Sequence, residues 1–265
     1  GGGWFDHLTR SQFEAYQNIR DQGATEAARM GQRLLIGPWG HSTISGSGIE
    51  HRRYGDWDFG PDADFPVLAH ELQFLDYYLQ EKDNGFDSQP PVKVFLMGEN
   101  RWVYASDWPP PEVQDWAFYL TSQGSANMRT GDGVLVGDVP DLGGEDGYVY
   151  DPGDPVPTLG GAVYWGLENR GPMDQRPILE RGDVLYYRSD VLDNPTVVIG
   201  EVGLDLWVSS DAADTDFVAK LCVEEETGAV TCLTLGSLRC RYRNGWGTPE
   251  AMPDKDMVIE AAAVE

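Results

Sequence analysis

The sequence predicts an α/β unit followed by an antiparallel β-sandwich. Three observations predict it. Up to Asn84–Pro91, helix-period and strand-like stretches alternate. Beyond Pro91, almost every apolar stretch is a short strand-like run bounded by Gly, Pro, Asp or Asn. The chain's 265 residues, 41% of them hydrophobic, suffice for two medium-sized units with separate cores. On this reading residues 1–88 form the α/β unit, and residues 89–265 form a sandwich of the jelly-roll kind.

The elements follow in order. Gly1 to Phe5 reads as the end of a strand. Ser11-Gln12-Phe13-Glu14 fits a capping box, and Phe13, Tyr16, Ile19, Ala24, Ala27 and Ala28 continue at helical spacing to a stop at Gly31. Arg33 to Ile36 reads as a short buried strand that ends in Gly37-Pro38. A second helix begins near Asp64-Phe65-Pro66, with proline in its first turn. Its apolar stripe is Leu68, Leu72, Leu75 and Leu79, and Asn84-Gly85 ends it. The sandwich strands are "VKVFLM", "WVYAS", "AFYLT", "YVYD", "VLYYRS", "TVVIGEVGLDLWVSS", "FVAKLCVEE" and "TCLTLGSLRCRYR". "WPPPE" is a local loop, and no internal repeat is visible.

Charge narrows the function. A net charge of −25 repels nucleic acid and anionic lipid, which excludes both as partners. No run approaches the roughly 20 apolar residues of a membrane span. The chain is therefore expected to be soluble. The start at Gly1 shows no signal-peptide pattern, but the chain looks cut rather than started, so localisation stays open, with cytoplasmic placement favoured. The lysine-poor, acid-rich composition also suits a high-salt environment. Cys222, Cys232 and Cys240 form no CxxC pair; Cys222 and Cys232 flank a candidate hairpin and are expected to be reduced and buried. No His/Cys spacing suits zinc. "DAADTD" (Asp211 to Asp216) lacks the frame of a calcium loop, and the glycine-rich stretches lack the Lys and Ser/Thr of a phosphate loop. Neither a metal nor an organic cofactor is expected.

One arrangement carries chemistry. Parallel strands joined by a helix are neighbours in the sheet, and reactive groups in such sheets sit beyond the carboxyl ends of the strands. Asp6 follows the first strand and His41 follows the second. The crossover brings them to one edge, where a carboxylate can accept a hydrogen bond from an imidazole and leave the other ring nitrogen to act as a base. The alternative is a packed histidine and a turn-capping aspartate. His7 is also close, but His41 has the better strand-end position. His51 and His70 read as structural or exposed.

Longer motifs now gain weight. "GGWFD", "LLIGPWGHS", "VKVFLMGENRW", "VYDPGDPVPTLGG", "GPMDQRP" and "SSDAADTDFVAKL" occur in order along nearly the whole chain. In this the sequence resembles the cocaine-esterase-like CocE/NonD serine hydrolases, grouped with the X-Pro dipeptidyl-peptidases and α-amino-acid ester hydrolases. The resemblance implies the C-terminal end of an α/β-hydrolase domain followed by a galactose-binding-like jelly roll. It also implies a Ser-Asp-His triad whose aspartate falls on Asp6 and whose histidine falls on His41. By motif position Leu8, Tyr164 and Trp165 are similar to the family's acyl-pocket residues, with core packing as the competing role.

No G-x-S-x-G occurs in the chain; Gly46-Ser47-Gly48 has the wrong pattern and place. The expectation is a piece of a longer hydrolase, short at both ends, inactive alone and prone to associate with itself. The whole enzyme would be a serine esterase, acylase or dipeptidyl-peptidase acting on a small-molecule ester, amide or short peptide. The competing class is a carbohydrate-binding or adhesion sandwich, in which ligand would meet Trp and Tyr side chains and Asp6 and His41 would be incidental.

Overall fold

A computed structural model describes residues 1–41, 52–141, 144–164, 169–253 and 258–264. Its first sheet has strand order β1-β2-β5-β6, formed by β1 (Gly2–Phe5), β2 (Leu34–Gly40), β5 (Val92–Leu96) and β6 (Arg101–Ala105). β1, β2 and β5 are parallel, and β6 returns antiparallel. Helices α1 (Thr9–Gln22) and α2 (Glu26–Met30) connect β1 to β2, and α3 (Val67–Gln80) lies between β2 and β5. A small hairpin, β3 (Arg53–Tyr54) and β4 (Trp57–Asp58), follows β2.

The sheet core comes from the sequence's apolar runs. Leu34, Ile36, Val92 and Val94 pack with Tyr16 of α1 and Trp108. Trp4 and Phe13 stack at 5.7 Å and Phe13 and Trp108 at 4.5 Å, joining α1 to the sheet. Every residue of β5 is buried, as in a central strand of a parallel sheet. Residues 92–105, assigned by sequence to the second unit, thus hydrogen-bond directly to the first.

Several local expectations need correction. β2 does not stop at Ile36 but runs on, fully buried, to Gly40. Pro38 is tolerated because it falls beyond the last β2–β5 pair, Ile36 with Val94, and within the register break of β1–β2 between Gly3 and Phe5. α1 begins at Thr9, so Ser11 lies inside the helix and forms no capping box. The Asp6 carboxylate accepts from Leu8 N–H at 2.9 Å, and Thr9 Oγ1 donates to Asp6 O at 2.7 Å; together they start the helix earlier. The predicted single helix breaks at Gly23, and Thr25 caps α2 by accepting from Ala28 N–H at 3.1 Å.

α3 also differs. Its packed face is Val67, His70, Phe74 and Tyr77, of which His70 and Phe74 meet the Phe86 ring at 5.1 and 5.6 Å. The leucine stripe lies away from the core, with Leu72 53% and Leu79 75% exposed. The leucine stripe that helical spacing identified faces outward in this chain, and a second, aromatic face does the packing.

His70 is half-buried between Phe65 and Phe86. Burial first, then repulsion from Lys93 and Arg33, pushes its pKa down to about 4 from 6.5. The fold therefore keeps His70 neutral where the unfolded chain takes up a proton. Its stability is full above pH 6.5 and falls as pH drops towards 4. Discounted for partial exposure, the loss is about 1–2 kcal/mol. Urea denaturation between pH 7 and 4 should show this fall, with a shallower slope for His70→Gln; identical slopes would contradict it.

Beyond β6 the described strands pair antiparallel: β7 (Tyr119–Thr121) with β8 (Val134–Val136), β9 (Gly203–Val208) with β12 (Ile259–Val264), and β10 (Asp216–Glu224) with β11 (Val230–Arg239). Among the described residues, a short α-helix, α4 (Arg176–Leu179), and a 3-10 turn at Cys240–Tyr242 interrupt this part. β10 carries half-buried Lys220, which donates to Gln175 Oε1 at 2.7 Å. None of the three cysteines is in a disulfide; Cys232 and Cys240 are fully buried, and Cys222, expected to be buried, is only partly so. Asp214 and Asp216 are engaged by Arg241 and Arg239, so two of the three carboxylates of "DAADTD" serve ion pairs.

Candidate active site

The β1–β2 register builds the site. Phe5 pairs with Gly40, so the next residues, Asp6 and His41, leave the sheet side by side. Close strand approach requires small residues here. A Cβ on Gly3 would strike the Trp39 backbone, and one on Gly40 would strike the Tyr54 hydroxyl. Tyr54 stacks on Phe5 at 5.3 Å, and burial pushes its pKa up to about 12, which keeps the hydroxyl protonated.

Asp6 is 3% exposed, and its carboxylate gathers donors. Leu8 N–H donates to Oδ1 at 2.9 Å. His41 Nδ1 lies 3.3 Å from both Oδ1 and Oδ2. His7 Nδ1 lies 3.3 Å from Oδ1 alone. The two imidazole centroids are 4.8 Å apart. Both histidines are partly open to solvent, His41 more so, at 43% against 33%. The sequence reading brought Asp6 and His41 together but gave His7 no contact. Its position next to Asp6 was the only available signal.

The third component comes from far along the chain. Gly161 and Gly171 exchange backbone hydrogen bonds of 2.8 and 3.0 Å, closing the neck of a loop. That neck is held to the β3–β4 hairpin: Asp56 N–H donates to Pro172 O at 2.8 Å, and Asp174 N–H to Asp56 Oδ2 at 3.1 Å. Arg170 lies 4.4 Å over the Tyr54 ring. So held, the loop sets the Tyr164 ring 4.8 Å from His7 and 5.3 Å from His41. Leu8 sits at the start of α1 with its side chain exposed. Trp165, His51 and Gly46-Ser47-Gly48 lie outside the described residues.

Chemically, a buried carboxylate beside a partly open imidazole can hold that ring in one tautomer and stabilise its protonated form. Among the described residues, no helix is long and apolar enough to cross a membrane.

Comparison with known proteins now places the chain. Residues 84–258 match the X-Pro dipeptidyl-peptidase C-terminal non-catalytic domain; Tyr164 lies inside that range, and Asp6, His7 and His41 lie before it. Cocaine esterase of Rhodococcus sp. (strain MB1 Bresler) is 37% identical over 244 residues, covering 91% of this chain and 40% of that protein. The chain thus spans well under half the length of this relative. An aminopeptidase from a marine sediment Thaumarchaeota archaeon superposes with a TM-score of 0.73 at 23% identity, over 99% of this chain and 43% of that one. An α-amino acid ester hydrolase gives a TM-score of 0.67 at 24% identity, over 99% of this chain and 44% of its own. The likeness to these two structures is one of fold. The chain belongs to the cocaine-esterase-like CocE/NonD family and carries that family's X-Pro dipeptidyl-peptidase C-terminal non-catalytic domain.

Proposed function

We propose that this chain supplies the aspartate and histidine of a serine hydrolase that cleaves ester, amide or short-peptide bonds through an acyl-enzyme. The observation that carries the reading is the contact of His41 Nδ1 with both oxygens of buried Asp6, at the ends of two adjacent parallel strands. Residues 1–88 are then the C-terminal part of an α/β-hydrolase domain whose sheet β5 and β6 extend, and the jelly roll takes up the rest of 89–265. The serine and the oxyanion donors belong to residues outside these 265, because no G-x-S-x-G occurs among them.

Asp6 accepts the His41 Nδ1 proton and leaves Nε2 unprotonated. Nε2 takes the serine proton as the hydroxyl attacks the carbonyl, then gives it to the leaving group. In the second half His41 activates water in the same way. The 3.3 Å contacts are loose for this work, as such contacts often are before substrate binds. Tyr164, 5.3 Å from His41, and the exposed Leu8, two residues after Asp6, are the residues proposed to favour a bulky acyl group.

The test is p-nitrophenyl ester hydrolysis by the full reading frame that contains this chain. Burst kinetics and inactivation by a fluorophosphonate are expected. No hydrolysis, or no G-x-S-x-G in that frame, would overturn the reading in favour of a binding sandwich.

The exposed leucine stripe on α3 and the free edge of β1 fit this proposal, since further hydrolase sheet and helix would cover both. The 265-residue chain alone should therefore self-associate in sedimentation velocity. Leu72→Glu combined with Leu79→Glu should shift it towards monomer; a monomeric wild type would contradict this.

A further inference from the structure

We propose that Asp6, His7 and His41 bind one zinc-class divalent ion, and that the bound ion stops His41 from acting as a base. The second half rests on the hydrolase reading above; the first does not.

One ligand atom from each residue lies within 4.8 Å of the others. His7 Nδ1 and His41 Nδ1 each stand 3.3 Å from Asp6 Oδ1. That is long for a charge-assisted hydrogen bond, which prefers about 2.7–2.9 Å. Both distances fit an oxygen and a nitrogen sharing one tetrahedral ion, since ligand bonds of about 2.0–2.2 Å put such atoms about 3.3–3.6 Å apart. Two imidazoles and one carboxylate select zinc, cobalt or nickel over magnesium or calcium, which prefer all-oxygen sets. Leu8 N–H donates to the same Oδ1 at 2.9 Å and so orients the carboxylate. The partial exposure of both histidines lets water complete the coordination.

The consequence follows from the tautomer. An ion on His41 Nδ1 occupies the lone pair there, and the neutral ring then carries its proton on Nε2. Nε2 is the atom that must accept the serine proton, so the metal-bound ring cannot act as base. No proton is gained or lost overall; it changes nitrogen. His7, which the proposed reaction does not use, is what makes the set of three.

The test is cobalt(II) titration of the protein in excess magnesium, which occupies the many surface carboxylates. One cobalt per chain is expected, with the strong visible absorption of a low-coordinate site. His7→Ala should weaken binding about tenfold or more, since losing a ligand costs at least what losing an outer-shell partner does. His7→Gln, which keeps the side chain's bulk, gives the same reading if alanine does not fold. No such absorption in the wild type, or equal absorption in both His7 variants, overturns the ion site. Zinc should inhibit ester hydrolysis by the full reading frame, and His7→Ala should need at least about tenfold more zinc. Hydrolysis untouched by zinc in a protein that binds cobalt overturns the second half alone. Cobalt binding without any hydrolysis leaves the ion site standing and counts against the hydrolase reading.

Discussion

His41→Ala is expected to lower kcat/KM for ester hydrolysis by about 10⁴-fold or more, and Asp6→Asn by about 10⁴-fold. Both values refer to the full reading frame under steady-state assay. His41 is the proposed carrier of the proton in both halves of the reaction, and the alanine has nothing to carry it. Asp6→Asn keeps the shape but replaces an acceptor-only group with an amide that can also donate. The ring is then free to take the wrong tautomer, and its protonated form loses a buried counter-charge. Because both residues are proposed to act on the transferred proton, the losses should fall on kcat, with KM little changed. Variants that turn over at wild-type rates would show that His41 is not the base.

Gly3→Ala is expected to destabilise the fold by about 3 kcal/mol or more and to abolish activity with it. Gly3 pairs with Gly37 in the β1–β2 ladder, and an added methyl would strike the backbone of Trp39. A flexible side chain could swing aside, but backbone cannot, so β1 would have to move off β2. Asp6 follows two residues after the ladder's register break, and any such movement is transmitted to its contact with His41. Denaturant unfolding reads the first effect and ester hydrolysis the second. A stable and active Gly3→Ala protein would mean that close β1–β2 packing does not place the aspartate.

The site was largely legible because it rests on a topological rule. Two strands joined by a helical crossover had to run parallel and adjacent, and whatever followed each strand had to meet at one edge. Asp6 and His41 are those residues. Other features were hidden by contacts that local patterns do not encode. Ser11 has the residue type of a cap, yet Asp6 and Thr9 start α1 earlier. Pro38 reads as a strand breaker, yet it falls where the ladder has no pair to lose. Leu68, Leu72, Leu75 and Leu79 have a core helix's spacing, but the α3 face that packs is the aromatic one beside Phe86. The contact of Tyr164 with both histidines depends on a loop neck tied to a hairpin more than a hundred residues earlier, which no local motif reveals. Val92–Leu96 was legible as a strand, but Lys93 interrupts its apolar run and nothing local assigns it to the first sheet, where it pairs with β2.

The central claim is that Asp6 and His41 act as one unit, and a double-variant cycle tests it most directly. Ester hydrolysis would be measured for wild type, Asp6→Asn, His41→Ala and the combined variant. If Asp6 works through His41, the combined variant should be no slower than His41→Ala alone, to within about threefold. If the two losses multiply, the residues act independently and the account of the site is wrong.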